Sequence, residues 1–232
     1  MGLGLSTPKL EYTTWHNKYS IEVDGANDYM TMDGVAGEIN VNLGTFSAWI
    51  KLDSTAINGV ILKASIDSNN NIALTYVNST EKIQMQYKGG GTSKIAAGAF
   101  ENEGDDTWYH VMGTWDTTSS GYVKLYINGS LQQTSTGLGT FSGTIDKVYS
   151  GRNTLNSNSY FHGHIDNLAI FNNVQDATDL YNGGKPNDIT SYSGLVGHWR
   201  MGEGSGTSIA DKSSNNNATT LVHSPAWTTD IP

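Results

Sequence analysis

The chain has 232 residues, a formal net charge of −9 and no cysteine, and only 15% of its residues are charged. Such an acidic balance argues against nucleic acid as a partner, because phosphate binding needs a basic surface that displaces counterions. Without cysteine there is neither a disulfide framework nor a thiolate metal site, and no apolar run of 18 or more residues is present to cross a membrane as a helix.

Residues 1–19 show little periodicity and read as an N-terminal arm or a leading edge strand. Ser20–Val23 and Asp28–Met32 flank a turn at Asp24-Gly25-Ala26-Asn27, where Gly and Asn tolerate positive φ. Thr45–Leu52 alternates Phe46, Ala48, Ile50 and Leu52 with Ser47, Trp49 and Lys51, the pattern of a half-buried strand. Gly59–Ala64, Asn71–Val77 and Lys82–Tyr87 follow at the spacing of a meander, and Gly89-Gly90-Gly91 reads as a flexible loop. Trp108–Trp115 and Tyr122–Ile127 are the strongest strands. Asn128-Gly129 then signals a tight hairpin, since a type I′ turn needs positive φ at both central residues. Leu131–Thr134, Ile145–Ser150 and His164–Phe171 complete the series, and one short helix is expected over Gln175–Tyr181, opened near Asp176 and ended by Gly183-Gly184. Strand after strand at near-regular intervals predicts an all-β fold, a two-sheet antiparallel jelly-roll sandwich with that helix plugging one end.

Lys185-Pro186-Asn187-Asp188 has the composition of a linker, after which Leu195–Met201 and Ala218–Val222 read as strands around a polar loop. So short a tail cannot bury a sandwich of its own. Residues 185–232 are therefore expected to dock on the main domain, residues 20–184.

The stretch Trp108–Phe171, with Trp108-Tyr109-His110-Val111, Trp115-Asp116, Val123 to Gly129 and Tyr160 to Phe171, resembles the laminin-G-like, concanavalin-A-like (pentraxin-like) jelly rolls. Val23 to Tyr29, Phe46 to Lys51 and the terminal helix agree in order, so the resemblance covers about residues 20–182. Leu195 to Thr207 with Asp211 to Asn217 resembles the block that usually opens such domains, here placed after the domain; a displaced strand pair completing the same sandwich is favoured over the vestige of a second copy. The Gly/Leu-rich start, the lack of a signal peptide's charged and apolar regions and the trailing block are similar to virion proteins of tailed bacteriophages.

That resemblance implies a structural Ca²⁺ held by Asp166 and the turn carrying Asp24 and Asp28, a set of hard oxygens suited to the ion. The bland alternative is that Asp24 and Asp28 cap a turn while Asp166 accepts backbone hydrogen bonds. Asp67-Ser68-Asn69-Asn70-Asn71 starts like an EF-hand loop but has Ile72 and Asn78 where Gly and Glu belong, and Asp211 with Asn215–Asn217 reads as a solvated loop. The family's glycanases carry three acids as Glu-x-Asp-x-x-Glu. The nearest approach here, Glu22-Val23-Asp24-Gly25-Ala26-Asn27, ends in Asn, so no enzyme activity is expected. His162 and His164 share one face of their strand but lack a third ligand in sequence.

Binding remains. Sugars are gripped by aromatic faces and by planar polar groups, which selects Tyr76, Gln84, Gln86, Tyr87 and Arg152, with Trp49 more naturally a packing residue. The expected role is a non-catalytic virion component, structural or adhesive (capsid decoration, tail or fibre), made in a host cytoplasm and otherwise extracellular. Its expected partners are other virion subunits, cell-surface glycan and further copies of itself. A Ca²⁺-dependent bacterial lectin is the second reading and an endo-glycanase the third.

Overall fold

The computed structural model describes residues 17–55, 57–99, 106–118 and 121–232. Most of the arm expected over 1–19 lies outside the described residues. The described residues form sixteen strands: β1 (Ser20–Asp24), β2 (Tyr29–Thr31), β3 (Leu43–Leu52), β4 (Gly59–Ser65), β5 (Asn71–Val77), β6 (Lys82–Gly89), β7 (Thr92–Ala99), β8 (Tyr109–Asp116), β9 (Tyr122–Ile127), β10 (Ser130–Thr136), β11 (Lys147–Ser150), β12 (His162–Phe171), β13 (Leu195–Trp199), β14 (Ser208–Ile209), β15 (Thr219–Val222) and β16 (Ala226–Thr228). One α-helix, α1 (Ala177–Tyr181), and a 3-10 segment at Asp33–Glu38 are the helical elements among the described residues.

The strands build two antiparallel sheets. The first runs β10-β9-β8-β3-β12-β1-β16 with β13 also paired to β12, and the second runs β14-β15-β2-β11-β4-β5-β6-β7. Alternation decides what lies between them. Phe46, Ala48 and Ile50 of β3, Val123, Leu125 and Ile127 of β9, Ile72, Leu74 and Tyr76 of β5, and Ile83, Met85 and Tyr87 of β6 all enter one core cluster, as a period of two demands. Trp115 is fully buried there, edge-on to Phe46 at 4.9 Å, and its indole N–H donates to the Asn40 carbonyl.

Two turns show sequence chemistry at work. Asn128 and Gly129 have φ of 50° and 74°, the positive pair a type I′ hairpin requires. Gly90 and Gly91, with φ of 54° and 84°, make a second tight turn that pairs Gly89 with Thr92. The triple glycine is thus not a loose loop, and a strand unexpected from the sequence, β7, follows it directly.

Residues 195–228 join both sheets. β13 and β16 extend the first sheet, while β14 and β15 extend the second. Val196, Trp199, Met201, Ile209 and Leu221 enter the same core cluster as the rest of the sandwich. β12 accommodates this by a bulge: its register against β3 slips between Asp166 and Ala169, and Asn167 takes a φ of 46°. Before the bulge its edge pairs with β1, through Gly163 and Ile165; after it, Leu168–Phe171 pair with β13.

The helix does not plug an end of the sandwich. It lies on the outer face of the first sheet, where Ala177 and Leu180 join Met112, Ala169, Phe171 and Ile189 in a second apolar cluster. Asp176 caps it by accepting from the Thr178 and Asp179 N–H groups.

Candidate functional site: the outer face of the second sheet

The two outer faces differ. That of the first sheet is roofed by α1, with Tyr181 stacked on Trp49 at 5.9 Å and 25°. Among the described residues, no helix covers that of the second sheet. Strand register sets one row of side chains across it: Thr220, Thr31, Tyr149, Lys63, Ala73, Gln86, Ile95. The next row carries Val60, Thr75, Gln84 and Ala97.

Residues 151–160 fold over one end of this face. Thr154 and Ser65 share a hydroxyl–hydroxyl bond of 2.7 Å, and the Val60 N–H donates to the Ser159 carbonyl. Between that segment and the sheet lies a groove of ≈ 180 Å³, lined among others by Asn58, Lys63, Thr75, Gln86 and Asn153. A shallower hollow of ≈ 350 Å³, with Gly25, Ile57, Asn78 and Tyr160 on its walls, shares Asn58 and Ser159 with it.

Lys63 is the unusual member. It is 8% exposed, and its ammonium donates to Asn153 Oδ1 at 3.1 Å. Burial pulls its pKa below the usual lysine range, and nearby Lys88 adds to that. Beside it, Tyr29 and Tyr149 pack with ring centroids 5.4 Å apart. The Arg152 guanidinium sits over both rings, at 4.6 and 5.3 Å, while its Nε–H donates to the Asn153 carbonyl. Chemically this face offers amides and hydroxyls for ligand hydroxyls, a tyrosine pair and two cations.

Of the residues singled out from sequence, Gln84, Gln86 and Arg152 meet on this face. Tyr76 and Tyr87 do not. They are 1% and 0% exposed and point into the core, because they alternate with Thr75 and with Gln84 and Gln86 along their strands. The Tyr87 hydroxyl donates to the Val41 carbonyl, and burial pushes its pKa up to about 12. Tyr87→Phe is expected to cost about 1 kcal/mol, read as a melting drop of about 2–4 °C, with no effect on ligand binding.

The three acids proposed as one calcium site are also apart. Asp24 Oδ1 accepts from the N–H groups of Ala26, Asn27 and Asp28, a turn-capping arrangement. Burial pulls the Asp24 pKa up, but these backbone bonds outweigh it and the net shift is downward. Asp24 pairs with His162 on β12, whereas Asp166 lies four residues further along, about 13 Å at about 3.3 Å per residue. Ligands of one Ca²⁺ lie within about 5 Å of each other, so no single ion joins Asp166 to that turn. Asp166 is fully buried, accepts from the Asn167 N–H at 2.7 Å and from the Asn17 amide, and its pKa is raised well above the carboxylate range by burial.

Two further acidic motifs are engaged in backbone hydrogen bonds. Asp67 Oδ1 accepts from the Asn69 and Asn70 N–H groups, and Asp211 accepts from those of His198, Ser213 and Asn217. His164, with Glu22 opposite it on β1 and Asp53, forms a group whose ligand atoms lie within 4.8 Å of one another. The His164 ring pairs with Asp53 at 3.3 Å. Lys63, Asn58, Thr75, Asn153, Tyr29 and Tyr149 were not singled out from sequence. The alternation that places Gln86 outward also places Thr75 and Lys63 outward, so part of the signal was present.

A sandwich of two large antiparallel sheets is the architecture of a concanavalin A-like jelly roll. A laminin G family model, described as the concanavalin A-like lectin/glucanases superfamily, matches residues 24–180, and the chain belongs to that family. No curated protein sequence matches it. Among solved structures, a Bacteroides ovatus protein provisionally described as carbohydrate-binding superposes with a TM-score of 0.66 at 15% identity, over 93% of this chain and 60% of that one. The CBM40 of Ruminococcus gnavus IT-sialidase, bound to α2,3 sialyllactose, gives 0.59 at 18% identity, covering 73% of this chain and 98% of that one. Domains LG4-5 of the mouse laminin α1 chain give 0.52 at 19%, covering 66% and 41%. This chain thus spans less than two thirds of the Bacteroides protein.

Proposed function

We propose that the chain is a non-catalytic glycan-binding module whose ligand lies on the outer face of the second sheet, across Gln86, Thr75, Lys63 and Asn153. The observation that carries this is the contrast between the faces. The helix covers one, and the other keeps an open groove of amides and hydroxyls beside a tyrosine pair, the usual chemistry of sugar recognition. A carbohydrate description attaches to the Bacteroides relative and a bound sialyllactose to the Ruminococcus module, which supports the reading. The non-catalytic part rests on the lining of the groove. Glycoside hydrolysis ordinarily needs two carboxyl groups about 5–9.5 Å apart, and none of the described residues lining this groove is Asp or Glu.

A glycan array with the intact chain tests the proposal, with and without chelator to read the calcium-dependent alternative. Binding to a defined glycan set that Gln86→Ala weakens is the expected result. Silence on a broad array, or binding indifferent to changes on this face, overturns it. A virion adhesive would use such a face on cell-surface glycan, and presence at fixed stoichiometry in purified particles is the measurement for that role.

A further inference from the structure

We infer that the glycan recognised in this groove is acidic, with a sugar carboxylate seated on Lys63; the inference rests on the glycan-binding reading above. It starts from two buried lysines that the fold treats differently. Lys51, on the outer face of the first sheet, is 4% exposed and is held by two carboxylates, Asp106 at 2.5 Å and Asp230. Lys63 is 8% exposed, and its hydrogen bond goes to a neutral amide oxygen. Among the described residues the ion pairs are made by Lys51, His164, Arg200 and Lys212, and Lys63 makes none. Withdrawing an ammonium from water without a counter-charge is costly.

The omission is local. The chain carries 22 acidic residues against 13 basic ones, yet among the described residues no carboxylate lines the groove. The charges that do approach are of the same sign. Lys88 lies close enough to disfavour the charged form of Lys63, and Arg152 reaches the backbone of the same Asn153 whose side chain Lys63 holds. An ammonium has three donors, so after Asn153 two remain for a ligand. A carboxylate supplies the missing charge and accepts both, in a partly desolvated groove where charge-assisted bonds are strong. Gln86, Thr75 and Asn58 are left for the hydroxyls. A neutral glycan would leave the ammonium as it stands.

Titration calorimetry on the intact chain with matched pairs tests this: sialyllactose against lactose, and trigalacturonate against its methyl ester. At least one acidic member is expected to bind about tenfold or more tighter than its neutral partner, with the difference shrinking as salt rises. Lys63→Gln is expected to erase that difference, Lys63→Arg to keep most of it, and Lys88→Gln to leave it largely intact. Melting curves establish that each variant folds; should Lys63→Gln fail to fold, salt dependence and the matched pairs carry the decision on the native chain. Equal binding of acidic and neutral members overturns the carboxylate assignment and leaves the glycan reading standing. Preference for a sulfated oligosaccharide over both carboxylated probes also overturns it. Silence with these probes and on the broad array removes both.

Discussion

A chain ending at Gly194 is expected not to fold. The truncation removes Val196, Trp199, Met201, Ile209 and Leu221, each 7% exposed or less in the main core. At about 1.5–3 kcal/mol for each such side chain, the loss is on the order of 8–15 kcal/mol, an upper estimate because denatured chains already bury some surface. That equals the whole net stability of an ordinary domain, about 5–15 kcal/mol. It also strips β13 from the edge of β12, β15 from β2 and β16 from β1, leaving unpaired edges that invite aggregation. Circular dichroism and size exclusion read the outcome. A soluble monomer with a cooperative melt close to that of the full chain would refute it. The family match at residues 24–180 therefore does not delimit a folding unit, since it omits these strands and most of β1.

The second expectation concerns acid. His110 and His198 are 1% and 0% exposed, and burial pulls both pKa values from 6.5 down to about 3. His110 Nε2 meets Ser47 Oγ at 2.8 Å beneath Trp49 and Tyr181. His198 Nε2 meets the side chain of the bulge residue Asn167. Both rings stay neutral in the fold but take a proton once unfolded, so their stabilising effect is complete above about pH 6.5 and is lost as pH falls towards about 3. With two protons, the slope is on the order of 3 kcal/mol per pH unit.

Asp166 works the other way. Its raised pKa means the folded state keeps a proton that the unfolded chain releases above about 3.9, so acidification through that window favours the fold and opposes the histidine slope. Chemical denaturation between pH 7 and pH 4 should therefore show a marked fall in stability. His110→Gln with His198→Gln should flatten or invert it. An unchanged slope in the double variant would assign the acid sensitivity to other groups.

Much of the fold was legible because alternation is a local signal. β3, β6, β8 and β9 carry it plainly, and the Asn128-Gly129 turn fixed a hairpin. β14 and β16, with two and three residues, are too short to have a period. β7 reads Thr-Ser-Lys-Ile-Ala-Ala-Gly-Ala, small residues with no apolar stripe, as an edge strand allows.

The site was less legible, for two reasons. Tyr76 and Tyr87 were chosen by ring type, although alternation against Gln84 and Gln86 already aimed Tyr87 inward. Lys63 stands inside Val60-Ile61-Leu62-Lys63-Ala64 and looks like an ordinary solvated lysine; it is enclosed by residues 151–160, some ninety positions away. Likewise, Asp166 is covered by Asn17, 149 residues distant. Burial made by remote chain leaves no local pattern.

The bulge in β12 has a consequence for how such a chain can be strung. β1 and β13 lie end to end along one edge of that strand, although more than 170 residues separate them in sequence. The two ends of the described chain also meet, the Ser20 hydroxyl donating to the Asp230 carbonyl at 2.6 Å. Sheet order is therefore uncoupled from gene order. A circular permutant that starts at Leu195, runs through a short linker into β1 and ends at Gly194 keeps every strand pairing, and the opening-type block found here at the rear then leads the domain.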